Sequence, residues 1–163
     1  MTKSILLVGV GGQGTILASK ILTLGLMEAG FDVKMSEIHG MSQRGGSVSS
    51  QVRYGDVVYS PVIEKGSADI IVSFEKMEAL RALDYLKEGG VLVVNDEEID
   101  SMSVITGQEE YPDDVLDIIK SHSKATVLNA TELARGLGNE KAANIILLGT
   151  IIKSKGQIGS AHV

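Results

Sequence analysis

An apolar run from Ser4 to Val8 ends on Gly9-Val10-Gly11-Gly12-Gln13-Gly14, and Thr15 to Glu28 then carries Ile16, Leu17, Ile21, Leu24 and Met27 at helical spacing. Strand, glycine turn and helix in that order constrain the fold more than any other feature of the chain. Gly9, Gly11 and Gly14 fit the GxGxxG spacing. The first glycine permits a tight turn and the second lets backbone approach a diphosphate, while the helix N-terminus offers unpaired N–H groups and a positive dipole end. Gly12 adds open backbone beside Gln13. The bland alternative is that these glycines only let a helix pack closely on a strand.

The rest of the chain repeats the alternation. Val33 to Ile38, Asp69 to Ser73, Val91 to Val94 and Ala125 to Leu128 read as short apolar strands. Glu75 to Lys87, with Met77, Leu80, Leu83 and Leu86 inward, reads as an amphipathic helix stopped by Gly89 and Gly90. Ser47 to Tyr54 and Asp56 to Ile63, the latter interrupted by Pro61, suggest paired or edge strands. A helix is expected after Pro112 through Val115, Ile118 and Ile119, a short one at Thr131 to Arg135, and a long apolar one at Lys141 to Lys153. Continuous apolar strands between helices predict an α/β, Rossmann-like single domain: a mostly parallel sheet with helices on both faces.

Composition removes several functions. With no cysteine among 163 residues, the chain has no disulfide, no thiolate metal or cluster ligand and no cysteine nucleophile. A net charge of -6 argues against a phosphate-neutralising nucleic-acid surface. The opening apolar run is too short for a signal sequence or a membrane span, so a cytoplasmic location is expected. The three histidines are scattered without spaced carboxylates, no GxSxG elbow occurs, and neither a metal site nor a catalytic residue is assigned. Asp96 to Asp114 holds eight of the 21 acids and reads as a solvated face or a surface for a basic partner.

A nicotinamide dinucleotide would require an acid at the end of the second strand, where Glu37 stands. It is followed by Ile38-His39-Gly40-Met41-Ser42-Gln43-Arg44-Gly45-Gly46, whose density of donors and flexible backbone is unusual for a dehydrogenase. Beside Gly45 and Gly46, the Arg44 guanidinium can meet a phosphate or carboxylate bidentately. On these residues alone an NAD-dependent dehydrogenase and a nucleotide-sensing Rossmann module both remain open.

The two glycine segments in this order, with Ser73-Phe74-Glu75-Lys76-Met77-Glu78-Ala79-Leu80-Arg81, Gly89-Gly90-Val91-Leu92-Val93-Val94-Asn95 and Ala143-Asn144-Ile145-Ile146-Leu147-Leu148-Gly149, cover nearly the whole chain. Together they resemble the small, gamma-type subunits of 2-oxoacid:ferredoxin oxidoreductases, on the branch acting on indolepyruvate and other arylpyruvates. The resemblance implies a subunit that completes an active site and an interface, inactive alone, in a hetero-oligomer that yields aryl-acyl-CoA, carbon dioxide and reduced ferredoxin. Thiamine diphosphate and iron–sulfur clusters would belong to a large partner subunit, CoA would be the co-substrate, and ferredoxin would be reached through the complex. Gly9, Gly11, Gly12, Gln13, Gly14, Glu37, Gln43, Arg44, Gly45 and Gly46 would line this chain's share of the site. The domain spans residues 1–155, and 156–163 read as a tail, shortened or left from cloning, because family members carry a further helical segment there.

Overall fold

The computed structural model describes residues 1–39 and 45–155. Its six strands are β1 (Lys3–Val10), β2 (Asp32–His39), β3 (Ser47–Gly55), β4 (Ala68–Ser73), β5 (Leu86–Asn95) and β6 (Ala125–Leu128). The helices are α1 (Thr15–Glu28), α2 (Lys76–Ala82), α3 (Met102–Ile105), α4 (Val115–His122), α5 (Ala130–Gly136) and α6 (Ala143–Lys155). The strands form one sheet in the order β2-β3-β1-β4-β5-β6. β1, β4, β5 and β6 run parallel, while β3 is antiparallel to both β1 and β2. The predicted mostly parallel α/β sheet is therefore present, with one reversed strand.

That strand changes the site. In the doubly wound arrangement that binds dinucleotides, the second strand lies directly beside the first. Here β3 returns after β2, pairs with it from Asp32↔Gly55 to His39↔Val48, and pairs on its other edge with β1 from Lys3↔Tyr54 to Val10↔Ser47. Ser47 to Tyr54 is thus an interior strand, and β2 becomes the edge. Asp56 to Ile63 forms no strand; this segment lies over the sheet with Val58 and Ile63 buried, held by the Arg53 guanidinium donating to the carbonyls of Ser60 (3.1 Å) and Val62 (3.2 Å).

One core packs Ile5, Leu7, Val52, Tyr54 and Val72 against α1 and α6, and the other packs Leu6, Val8, Ile71 and Leu92 against α2 and α4. Helices thus cover both faces, as the alternation predicts. The helix predicted from Glu75 is shorter than expected: α2 ends at Ala82, a single 3-10 turn spans Leu83–Tyr85, and Leu86 already belongs to β5. Gly89 and Gly90 are consequently strand residues rather than a helix stop. A Cβ at Gly90 would stand 2.8 Å from the Lys87 carbonyl oxygen, and the β4–β5 register shifts between Ala68 and Ile70.

On α1 the buried residues are Thr15, Ala18, Ser19 and Leu26. Leu17, Ile21, Leu24 and Met27 form a stripe that faces outward, Leu24 being 60% exposed.

Candidate functional site

Helix α1 follows β1 onto one face of the sheet and α2 follows β4 onto the other, so adjacent parallel strands part at the switch point where α/β proteins hold ligands. Gln13 fills this crevice. Its side-chain oxygen accepts the Val10 N–H (2.8 Å), and its nitrogen donates to the Phe74 carbonyl (2.8 Å) and to Glu97 Oε2 (3.2 Å). Glu97 Oε2 also accepts from Asn95 Nδ2 (2.9 Å) and Thr131 Oγ1 (2.8 Å), while Asn95 Oδ1 takes the Ala130 N–H (2.8 Å). The side chain of Gln13, expected at a ligand, is bonded inward. It ties the C-terminal ends of β1, β4 and β5 together.

Acids Asp96 to Asp114 divide accordingly. Glu97 is the hub just described, Lys76 Nζ reaches Glu98 (3.0 Å) and Asp96 (3.7 Å), and the Ser103 hydroxyl donates to Glu109 (2.7 Å). Seven of the eight acids are nevertheless exposed, in keeping with a solvated face, and Glu97 alone is half-buried. The Tyr111 hydroxyl donates to Glu75 Oε1 (2.5 Å) and accepts the Met77 N–H (3.1 Å). Burial first, then the Glu75 hydrogen bond and charge, push its phenol far above the ordinary range.

The glycines serve different ends. A Cβ on Gly9 would lie 2.8 Å from Thr15 Oγ1, 2.9 Å from Gln13 Oε1 and 3.0 Å from Phe74 Cβ, so Gly9 is required for packing. Gly14, at φ +82, caps α1 with Asn144 Nδ2 2.9 Å from where its Cβ would stand, and Gly12, at φ +101, has no neighbour within 4 Å of such a Cβ. No side chain caps the α1 N-terminus.

Beside that N-terminus, on the face away from Glu97, lies a cavity of about 600 Å³ lined by Gly11, Gly12, Gly14, Thr15, Lys20 and His39, among others. Thr15 is 3% exposed and its Oγ1 has no hydrogen-bond partner. Lys20 forms no ion pair among the described residues. The Thr15 oxygen is turned toward Gly9 rather than into the cavity, but the uncapped N–H groups and the unpaired ammonium suit an anion. The crevice side of the same loop, with Glu97 and Glu140 in its lining, does not.

Glu37 sits at the level of Ser50 in β3, and Ser50 at the level of Leu7 in β1. Two strand spacings, about 10 Å, separate it from β1, so it does not occupy the position of a ribose-binding acid. It approaches the cavity only through His39 Nε2, 3.6 Å from its Oε2. The second glycine segment does meet the first: the Gly11 N–H donates to the Gly46 carbonyl (2.9 Å). On the opposite face Gly45 borders a cavity of about 400 Å³ with Glu78, Arg81 and Tyr111. Gln43 and Arg44 lie outside the described residues. Sequence reasoning missed Lys20, whose place beside His39 and Val48 follows only once β2 and β3 are placed.

A glycine loop whose Gln13 fills the switch-point crevice, on a sheet with one reversed strand, defines a class recognised by comparison. The profile of the family described as "Pyruvate ferredoxin/flavodoxin oxidoreductase" matches residues 4–163. The solved gamma subunit of a keto/oxoacid ferredoxin oxidoreductase from Geobacter sulfurreducens aligns with TM-score 0.66 at 26% identity, over 94% of this chain and 78% of that one. The chain belongs to this family and is an oxidoreductase subunit of the small, gamma type.

Within the family, "Indolepyruvate oxidoreductase subunit IorB" of Pyrococcus horikoshii is 38% identical over 98% of this chain and 82% of the relative. Its namesake in Thermococcus kodakarensis is 39% identical over 94% and 78%. A 2-oxoglutarate:ferredoxin oxidoreductase from Magnetococcus marinus shares the fold at TM-score 0.69 and 20% identity, over 93% of this chain and 24% of that one. No helix among the described residues is long and apolar enough to cross a membrane.

Proposed function

We propose that this chain completes the active site of a thiamine diphosphate-dependent arylpyruvate:ferredoxin oxidoreductase, with indolepyruvate in its substrate class, and that its two glycine segments form the CoA side of that site. One observation carries the reading: the Gly11–Gly46 hydrogen bond joins the segments beside a cavity whose lining suits a phosphate. Lys20 and the α1 N–H groups would hold a CoA phosphate there, and Arg44, from the segment between His39 and Gly45, would supply the bidentate contact. The residues fit that group because no side chain caps the α1 N-terminus and Lys20, in the same lining, forms no ion pair among the described residues.

Thiamine diphosphate and iron–sulfur clusters, held by a large partner subunit, would supply decarboxylation and electron transfer. This chain has no cysteine with which to ligate a cluster. Its own residues bind and orient the co-substrate and wall the site. The outward stripe of Leu17, Ile21, Leu24 and Met27 supports a subunit role, since contiguous exposed apolar surface marks association. Residues 1–155 act as one domain, in a cytoplasmic complex that hands electrons to ferredoxin.

The test is coexpression with the candidate large subunit, followed by an assay of arylpyruvate-dependent reduction of an electron acceptor with and without CoA. Copurification and CoA-dependent turnover are expected. Failure to copurify, or micromolar NAD binding by the chain alone, would overturn the reading.

A further inference from the structure

Glu78 is unusually enclosed for a helix carboxylate. Its side chain is 6% exposed, whereas its ion-pair partner Arg81 is 59% exposed. A surface pair does not require that burial, and a buried carboxylate is stable only when its oxygens are bonded. Oε1 accepts from Arg81 Nη1 at 2.7 Å, and Oε2 accepts from the Ser47 hydroxyl at 2.5 Å. The backbone N–H of Glu78 donates to Glu75 Oε2 (2.9 Å), and Glu75 Oε1 is held by Tyr111. A continuous chain of hydrogen bonds therefore runs from the segment carrying Tyr111, through α2, to Ser47.

Ser47 is the first residue of β3, and with Val10 it forms the last pair of the β1–β3 ladder. Immediately before it, Gly46 receives the Gly11 N–H, and Gly45 stands at φ +77 with nothing within 4 Å of an added Cβ. A strand start preceded by two glycines has little intrinsic stiffness. Besides the ladder pair with Val10, the described contacts that anchor it at this point are the Gly11 bond on one side and the Glu78 bond on the other.

We infer that Glu78 is a positioning residue: through Ser47 it fixes Gly45 and Gly46 against the β1–α1 loop and thereby sets the affinity for CoA without touching it. This rests on reading that rim as the CoA side of the site. Because a hydroxyl can donate or accept, Gln at position 78 keeps the Ser47 bond while losing the Arg81 charge pair. Ala at position 47 removes the bond outright.

The experiment uses the assembled complex and measures KM for CoA, kcat and the exchange rate of the Gly11 amide in Ser47→Ala, Ser47→Thr and Glu78→Gln. Losing a hydrogen bond to a charged acceptor shifts an equilibrium by about tenfold or more, so Ser47→Ala should raise KM for CoA and speed Gly11 exchange by about that factor, with kcat within twofold. Ser47→Thr, which restores the hydroxyl, and Glu78→Gln should stay within threefold of the parent. A Ser47→Ala complex with unchanged KM for CoA, in a preparation where Lys20→Ala raises it, would overturn the role of Glu78 and leave the CoA rim intact. If neither variant moves KM for CoA, the rim reading itself fails, and this inference with it.

Discussion

Replacing Gln13 separates a structural plug from a ligand contact. The donor at Val10 and the acceptor at Phe74 dictate which end of the carboxamide faces which, and Ala at this position removes both contacts. Phe74 keeps a second donor, Asn95 Nδ2 at 3.2 Å, and Glu97 keeps Asn95 and Thr131. The Val10 N–H is left without its acceptor in a residue only 7% exposed. An orphaned buried donor costs about 1–3 kcal/mol and each lost net bond about 1, so Gln13→Ala should destabilise the chain by about 2–3 kcal/mol. For a chain of this size that lowers Tm by about 5–10 °C. Glu at position 13 has the same shape and still accepts from Val10, but turns an oxygen toward the Phe74 carbonyl and the Glu97 carboxylate. It should destabilise at pH 7 at least as much as Ala, and recover as pH falls toward 4, because its raised carboxyl pKa lets the folded state take up a proton that donates to Phe74. Urea unfolding at pH 7 and pH 4.5 measures both effects. A Gln13→Glu chain within 0.5 kcal/mol of the parent at pH 7, a margin about the size of an ordinary surface substitution, would refute the plug.

Three further outcomes follow from the geometry. Burial alone would raise the Asp69 carboxyl, but the Lys87 hydrogen bond (2.7 Å), the Ser4 N–H (2.9 Å) and Lys3 outweigh it and hold it below its usual value. Its stabilising contribution is complete above the unfolded carboxyl pKa near 4 and is lost as pH falls through the lower folded value; Asp69→Asn should flatten that acid limb of an unfolding curve. Tyr111→Phe, which strips Glu75 of its phenolic donor, should cost about 1–3 kcal/mol in chemical denaturation and expose the 96–114 segment to proteolysis. Gly14→Ala should cost about 1–2 kcal/mol from its φ of +82 alone, and a Tm within 1 °C of the parent would contradict that placement.

Sequence made much of this architecture legible, for reasons that differ along the chain. Thr15–Glu28 carries a glycine at its N-cap and helical apolar spacing, and α1 has those bounds. Buried parallel strands such as Ala68–Ser73 announce themselves as unbroken apolar runs. The reversal and insertion of β3 were not legible, because pairing partners leave no mark in local periodicity, and Glu37 therefore read as though β2 adjoined β1. The apolar residues of α1 likewise gave a period but not a direction: the core takes Ala18 and Leu26, while Leu17 and Leu24 face outward. Gln13 read as a ligand contact because its motif suggests one, and the structural partners that claim its amide, Phe74 and Glu97, lie far along the chain.

The most direct test of the CoA-rim reading is KM for CoA in the assembled complex carrying Lys20→Ala, measured beside KM for the arylpyruvate. A charge-assisted phosphate contact predicts an increase of about tenfold or more for CoA, with the 2-oxoacid KM unchanged. An unchanged KM for CoA in a fully assembled, active complex would contradict the claim that this chain forms the CoA side of the site.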